Sequence, residues 1–298
     1  MRIASLLPSA TEIVYALGLD EHLVGVTFEC DHPPDPRQGR PVLVGGLHTE
    51  GLTSAEIDAL VRARAEAGEN LYALDEEAFR AAAPDLVLTQ DLCRVCALPT
   101  DEVDRAMERL GCTAEVVVLD PHTLQDVLDG IVAVGRAAGV EDRALAYRAG
   151  LHERLAAVAA RTAGGPEPRV FVLEWPDPPF LAGHWVPDLV VAAGGDAVLA
   201  RSGQRSVPTT FEAIAEADPD VVLVASCGFD LEGTTAHAAE VLERLPGRAA
   251  VWAVDANAVM VRPGPRLVDG VEVLAELLHG GEPDPTLARR IRPGRPGV

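Results

Sequence analysis

Glu141-Asp142-Arg143-Ala144-Leu145-Ala146-Tyr147-Arg148-Ala149-Gly150-Leu151-His152-Glu153-Arg154-Leu155-Ala156-Ala157-Val158-Ala159-Ala160-Arg161 runs without a proline, and Gly150 is its one weak helix former. It reads as a single helix, roughly 30 Å long at 1.5 Å per residue. A shorter helix over 123–138 precedes it, with Thr123 and Asp126 as a cap pair and Gly139 as its stop. Gly164-Gly165-Pro166 ends the long one. Strand and helix patterns alternate on both sides of this pair. The reading is therefore two Rossmann-like α/β lobes with mostly parallel sheets, bridged by one long helix instead of a flexible linker. The expected boundaries are an N-terminal lobe over 1–121, a helical connection over 122–165, a C-terminal lobe over 166–280 and a fraying tail over 281–298.

In the first block, residues 2–7 read as a strand and Ser9-Ala10-Thr11-Glu12 as a capping box opening a helix that stops at Gly18. Leu23 to Thr27 is a short strand, and 28–41 a proline-rich loop. A helix capped by Ser54 reaches about Glu66, 75–83 is helical, and Leu86 to Thr89 is a buried strand. Thr100 caps the next helix, and Glu115 to Leu119 is a strand. In the second block Arg169 to Glu174 is a strand and Trp175 to His184 a loop. Helices follow up to Gly194-Gly195, over 210–217, over 235–244 and over 265–279, with strands at Val221 to Ala225 and Ala249 to Val254. Phe79-Arg80-Ala81-Ala82-Ala83-Pro84-Asp85-Leu86-Val87-Leu88 echoes Ile214-Ala215-Glu216-Ala217-Asp218-Pro219-Asp220-Val221-Val222-Leu223: a helix, a Pro-Asp break and an apolar strand, once per lobe.

The 298 residues carry 46 acidic against 25 basic side chains, every basic one an arginine, for a net charge of -21. That balance argues against a nucleic-acid surface and against docking on anionic lipid. The apolar share of 48% is ample for packed cores. No apolar run reaches the roughly 18–20 residues that span a bilayer. Met1 to Pro8 lacks the apolar length of a secretory signal, so a cytoplasmic location is expected, or an extracytoplasmic one if a signal has been removed. Five cysteines in a chain of this length are not a disulfide framework.

Ligands of open parallel sheets sit beyond the carboxyl ends of the strands. Two such lobes facing each other would line one cleft with the loops that start at Pro8, Phe28, Gln90, Trp175, Ser226 and Asp255. Those loops carry Pro8, Ser9, Phe28, Glu29, Asp31, Gln90, Arg94, Trp175, Phe180, His184, Trp185, Phe229 and Arg262 as candidate ligand contacts. Trp175 to Trp185 gathers much of the aromatic area of a chain that is 4% aromatic. Exposed, it would suit a large flat ligand; buried, it would be a core cluster. Cys93-Arg94-Val95-Cys96 is a metal half-site, a redox pair or chance, and Cys30 lies in a loop expected on the same edge. With His32 or His184 as a fourth ligand, Cys30, Cys93 and Cys96 would suit Zn or another soft metal. The main hydrolase, kinase and dinucleotide signatures are all missing, so no catalytic set is expected.

Ile3-Ala4-Ser5-Leu6-Leu7-Pro8-Ser9-Ala10-Thr11-Glu12 with Leu17-Gly18-Leu19 resembles the opening of the helical-backbone solute-binding proteins that serve cobalamin, haem and ferric-siderophore importers. Pro84 to Leu88, Pro178-Pro179-Phe180 with Gly194-Gly195, and Arg262-Pro263-Gly264-Pro265-Arg266 match later segments of the same family. The likeness runs over about residues 2–278 and is nearest to the cobalamin branch. It implies a monomeric, non-enzymatic carrier that binds a corrinoid or related metal chelate between its lobes, needs no cofactor and delivers to an ABC transporter permease. Lobe symmetry makes Glu76, Glu77 and Glu212 the docking candidates. Two other readings are a cytoplasmic corrinoid- or metal-handling protein working through Cys30, Cys93 and Cys96, and a siderophore or haem binder.

Overall fold

The computed structural model describes residues 1–47, 49, 51–91 and 100–294. The chain divides into two compact units, one of residues 1–121 with 125–150, the other of 122–124 with 151–298.

The first unit is built from β1 (Ile3–Ser5), α1 (Pro8–Ala16), β2 (Leu23–Thr27), β3 (Val42–Gly45), α2 (Ser54–Glu66), β4 (Ala73–Leu74), α3 (Glu76–Ala82), β5 (Leu86–Thr89), α4 (Thr100–Leu110), β6 (Glu115–Val118) and nearly all of α5 (Leu124–Ala137). Its sheet runs β4-β3-β2-β1-β5-β6, parallel except for the β3–β4 pair. Strand β5 is buried at every position, as a central parallel strand covered on both faces should be. Phe79 of α3 and Val103 and Met107 of α4 pack with Ala4, Leu43 and Val87 of the sheet.

Three local readings are corrected here. Helix α1 does not use a capping box: Leu7 is its N-cap, without a side-chain bond, and Pro8 opens the first turn, where its missing N–H costs nothing. Ser9, Thr11 and Glu12 are buried instead of capping. The capping box of this unit is Thr53 with Glu56, one residue ahead of the expected Ser54. The Glu56 amide donates to the Thr53 hydroxyl at 3.3 Å, and the Thr53 amide to the Glu56 carboxylate at 2.8 Å. Strands β3 and β4 fall in stretches not read as strands.

Helix α6 (Glu141–Thr162) carries the chain onward; residues 141–150 fall in the first unit and 151–162 in the second. The second unit continues with β7 (Arg169–Pro176), β8 (Pro179–Leu181), α7 (Val186–Ala192), β9 (Asp196–Ala197), β10 (Val207–Pro208), α8 (Phe211–Glu216), β11 (Val221–Val224), α9 (Leu231–Val241), β12 (Ala250–Val254), α10 (Ala256–Val259), α11 (Leu267–Leu278) and β13 (Ala288–Arg292). The sheet order is β10-β8-β7-β11-β12-β13, with β9 beside the start of β7. Strands β7, β11 and β12 run parallel; β8 is antiparallel to β7, β10 to β8 and β13 to β12. Phe171 and Leu173 of β7, Ile214 of α8, Val222 and Val224 of β11 and Val241 of α9 share one core.

Two expectations change in this unit. Trp175 to His184 is not simply a loop, because β7 runs through Pro176 and turns into β8 as a hairpin. The tail expected to fray from Gly281 holds β13, which pairs with β12 from Ala288 to Arg292. Among the described residues no helix is long and apolar enough to cross a membrane.

Candidate functional site

The carboxyl edge of the first unit's sheet is made by the ends of β1, β2 and β5. After β2, Phe28 lies against Tyr72, ring centroids 6.3 Å apart. Gly46 makes room for it, since a Cβ there would sit 2.6 Å from Phe28 Cε1. The Tyr72 hydroxyl donates to Glu29 Oε1 at 3.4 Å, the Glu29 amide to the Thr27 hydroxyl at 3.1 Å, and Arg37 Nη1 to the Phe28 carbonyl at 2.7 Å. Phe28 and Glu29 are thus fixed from several sides, while Asp31 is exposed. Tyr72 was missed in the sequence, because it lies just ahead of β4, a strand of only two residues.

Beneath this edge lies a buried polar layer. The Thr11 hydroxyl donates to Ser5 Oγ at 2.8 Å, Ser5 Oγ donates to the Leu7 carbonyl at 2.9 Å, and Cys30 Sγ lies 3.1 Å from Thr11 Oγ1. Cys30 is 1% exposed, so its thiol faces hydroxyls in the interior of its own unit. Ser9 and Gln90 are buried, and Pro8 is half-buried. Cys93, Arg94 and Cys96 lie outside the described residues. Among the described residues no group of three or more His, Cys, Asp or Glu side chains could hold a metal ion, so nothing there supports Zn at the cysteines.

The second unit's carboxyl edge gathers aromatic side chains. Trp175 near the end of β7 stands directly across from Phe180 of β8, and opposed residues of an antiparallel pair share a face. The Trp175 indole N–H donates to the Asp177 carbonyl at 3.1 Å. Its ring lies 5.9 Å from Phe229, in the loop after β11, and 5.8 Å from His237 of α9. Phe229 and His237 meet edge-on at 4.5 Å. Burial holds the His237 imidazole below its ordinary pKa, with Glu240 opposing weakly, so the ring is neutral at pH 7. His237 was missed because α9 was expected to begin near 235. Asp230, whose carboxylate accepts from the Gly233 amide at 2.9 Å, is the cap that could have revealed the earlier start.

Other candidates fall elsewhere. Trp185 is 5% exposed and its indole N–H donates to the Met260 carbonyl at 2.9 Å, so it belongs to the packed interior and not to a ligand-facing surface. His184, at φ 52°, lies between the rings of His122 and Trp185 at 6.2 and 5.7 Å. Arg262 is half-buried in the turn before α11. Glu76 opens α3 and is paired with Arg109 of α4. Glu77 and Glu212 are exposed, each the second residue of its helix. The Glu212 carboxyl is held below its usual range by its own backbone amide and the Thr210 hydroxyl.

Residues 3–264 match the family described as periplasmic binding protein. The chain is 26% identical over 292 residues, covering 93% of it and 80% of the relative, to the uncharacterized ABC transporter substrate-binding lipoprotein YvrC of Bacillus subtilis (strain 168). It is 24% identical over 279 residues, covering 93% and 88%, to the vitamin B12-binding protein of Vibrio cholerae serotype O1. A crystal structure of a periplasmic heme binding protein from Pseudomonas aeruginosa superimposes with a TM-score of 0.69 at 22% identity, over 99% of both chains. The cytoplasmic placement read from the sequence is overturned by these likenesses, to a periplasmic family and to a lipoprotein, which point outside the cytoplasm. That placement rested on where the sequence starts, which says nothing of a leader.

Proposed function

The chain belongs to the periplasmic binding protein family, whose members carry ligands without transforming them, and we propose that it is the substrate-binding component of an ABC importer for a corrinoid. The observation that carries the reading is the aromatic group Trp175, Phe180 and Phe229 on the carboxyl edge of the second sheet. A large, weakly polar macrocycle needs wide apolar faces, and rigid aromatic rings supply area at little entropic cost. A vitamin B12-binding relative and a heme-binding fold neighbour support a macrocyclic metal chelate as the ligand class.

Delivery to a permease needs an exposed contact on each unit. Glu77 on α3 and Glu212 on α8 fit that role, because both are exposed, acidic and at matching helix positions. Glu76 fits it less well, its charge being met by Arg109.

The test is an absorption spectrum after incubation with cyanocobalamin, haemin or a ferric siderophore and desalting. A retained corrinoid band at one equivalent supports the proposal. Retention of haemin or the siderophore alone replaces the corrinoid within the same carrier function. Retention of none of the three overturns the ligand class.

A further inference from the structure

Phe229 is seated on α9 in a notch made by two residues one turn apart. Gly233 supplies the gap: a Cβ at that position would lie 2.6 Å from Phe229 Cδ1 and 3.2 Å from its Cβ. His237, four residues on and so on the same helix face, supplies the wall, its ring edge-on to Phe229 at 4.5 Å. The same imidazole reaches Trp175 at 5.8 Å, and the three rings close a triangle whose third side is the 5.9 Å Trp175–Phe229 contact. His237 Nδ1 is buried, and among the described residues no group hydrogen-bonds to it.

We propose that His237 is a positioning residue that holds Phe229, and with it Trp175, at the carboxyl edge of the second sheet, and that protonating its ring dismantles this platform. An imidazolium carries an N–H on both nitrogens. At Nδ1 that N–H would be buried without a hydrogen-bond partner among the described residues, a penalty the neutral ring avoids. The charged ring must swing out to find one, and Phe229 then loses the wall of its notch. The depressed pKa of the imidazole agrees with this geometry. The consequence for ligand affinity rests on the functional reading above, in which the platform bears the ligand.

The charges around α9 leave His237 as the group that turns this contact. Glu240 on the same helix draws a proton toward the ring, less strongly than burial repels it. Glu232 is tied to Arg289 of β13, Arg290 lies over Trp252, and Arg292 donates to the carbonyls of Leu242, Pro246 and Ala249. Arg244, next to Glu243 in the turn after α9, lies over Phe211. Glu174 of β7 accepts from Ser206, and Asp230 caps α9. Burial also raises the Asp255 carboxyl, after β12, above its ordinary value, so a variant lacking only the imidazole is needed to separate the two.

The experiment compares the wild-type chain, His237→Phe and His237→Gln between pH 7.5 and 5. Two readouts are taken, tryptophan fluorescence without ligand and retention of cyanocobalamin. Trp175→Phe identifies the part of the fluorescence that comes from the platform. Wild type should show a Trp175-dependent step with its midpoint below the ordinary histidine value, and affinity should fall roughly three- to ten-fold across it, the scale of one lost aromatic contact. Either His237 variant should abolish the step, and His237→Phe, which refills the notch, should bind with a flat pH profile. A wild type without the step, or a variant that keeps it, overturns the proposal. A His237-dependent step in a chain that retains no cyanocobalamin at pH 7.5 supports the positioning role, and it is then the corrinoid reading that falls.

Discussion

The backbone amide of Arg2 donates to the Asp85 carboxylate at 2.8 Å, and the second unit repeats the bond between Arg169 and Asp220 at 2.9 Å. The repeat extends to the surroundings. Each aspartate amide returns a bond to the carbonyl of its arginine, and each aspartate carbonyl accepts from the first residues of the neighbouring strand, Glu115 or Ala250. Each guanidinium reaches carbonyls at the end of the preceding helix, of Ala82 and Ala83 in one unit and of Ala217 in the other. The Pro-Asp break therefore fastens the start of a sheet's first strand to its central strand, once per unit.

From this it follows that Asp85→Ala and Asp220→Ala should each lower stability by about 1–2 kcal/mol, the range for a hydrogen bond to a charged acceptor that is partly open to solvent. Urea denaturation gives the number. Ligand retention should be unchanged by either variant, since both bonds lie at the amino ends of the strands. A loss of binding without a loss of stability would contradict the role assigned here.

Trp175 and Trp185 should separate cleanly. Trp185 is buried and hydrogen-bonded to the Met260 carbonyl. Trp185→Ala should therefore cost about 3–5 kcal/mol, the usual range for emptying an aromatic core site. Trp175 is half-buried at the sheet edge. Trp175→Ala should weaken corrinoid retention roughly three- to ten-fold with a modest change in melting temperature. Calorimetry and equilibrium dialysis on both variants decide it, and the reverse pattern would return Trp175 to the core.

What the sequence made legible follows from its periodicities. Leu86 to Thr89 and Val221 to Val224 are short apolar runs behind a Pro-Asp break, and only a central strand suits them. The uninterrupted stretch from Glu141 is one helix to Thr162. Illegible elements were those whose partners are remote. Strand β13 reads as an arginine-rich tail until β12 is beside it, and β8 as a proline loop until Trp175 stands opposite Phe180. The candidate site divides in the same way. Phe28, Glu29, Trp175 and Phe229 could be picked out as unusual residues after strands. Tyr72 and His237 act through rings that the fold brings to them, which no local pattern announces.

Gly270 of α11 tests how closely the helices of the second unit approach. A Cβ there would fall on the Val259 carbonyl oxygen of α10, inside any van der Waals separation. Backbone cannot move aside as a flexible side chain can. Gly270→Ala should therefore destabilise by about 1–3 kcal/mol through overpacking, although alanine is the better helix former by about 1 kcal/mol. A melting temperature equal to or above that of the wild type would show that α10 and α11 can part without cost.

Asp255 yields a prediction whose sign depends on pH. It caps α10, its Oδ1 accepting from the Ala258 amide at 2.8 Å. Burial raises its carboxyl pKa and the nearby Asp230 carboxylate adds to the effect, while the amides of Ala258 and Leu231 and the Arg266 charge oppose it. A folded-state pKa above the unfolded value means that the native chain holds this proton more tightly. The stabilisation is fully present below the unfolded value and is lost as pH rises through the folded one. At pH 7 the half-buried carboxylate is therefore a net liability. Asp255→Asn keeps an oxygen for the Ala258 amide and removes the charge, so it should raise the urea midpoint at pH 7. The gain should shrink steadily on acidification and vanish as the wild-type carboxyl becomes protonated. An asparagine variant less stable than wild type by the same margin at pH 7 and pH 4 would mean that the capping bond outweighs the burial of the charge.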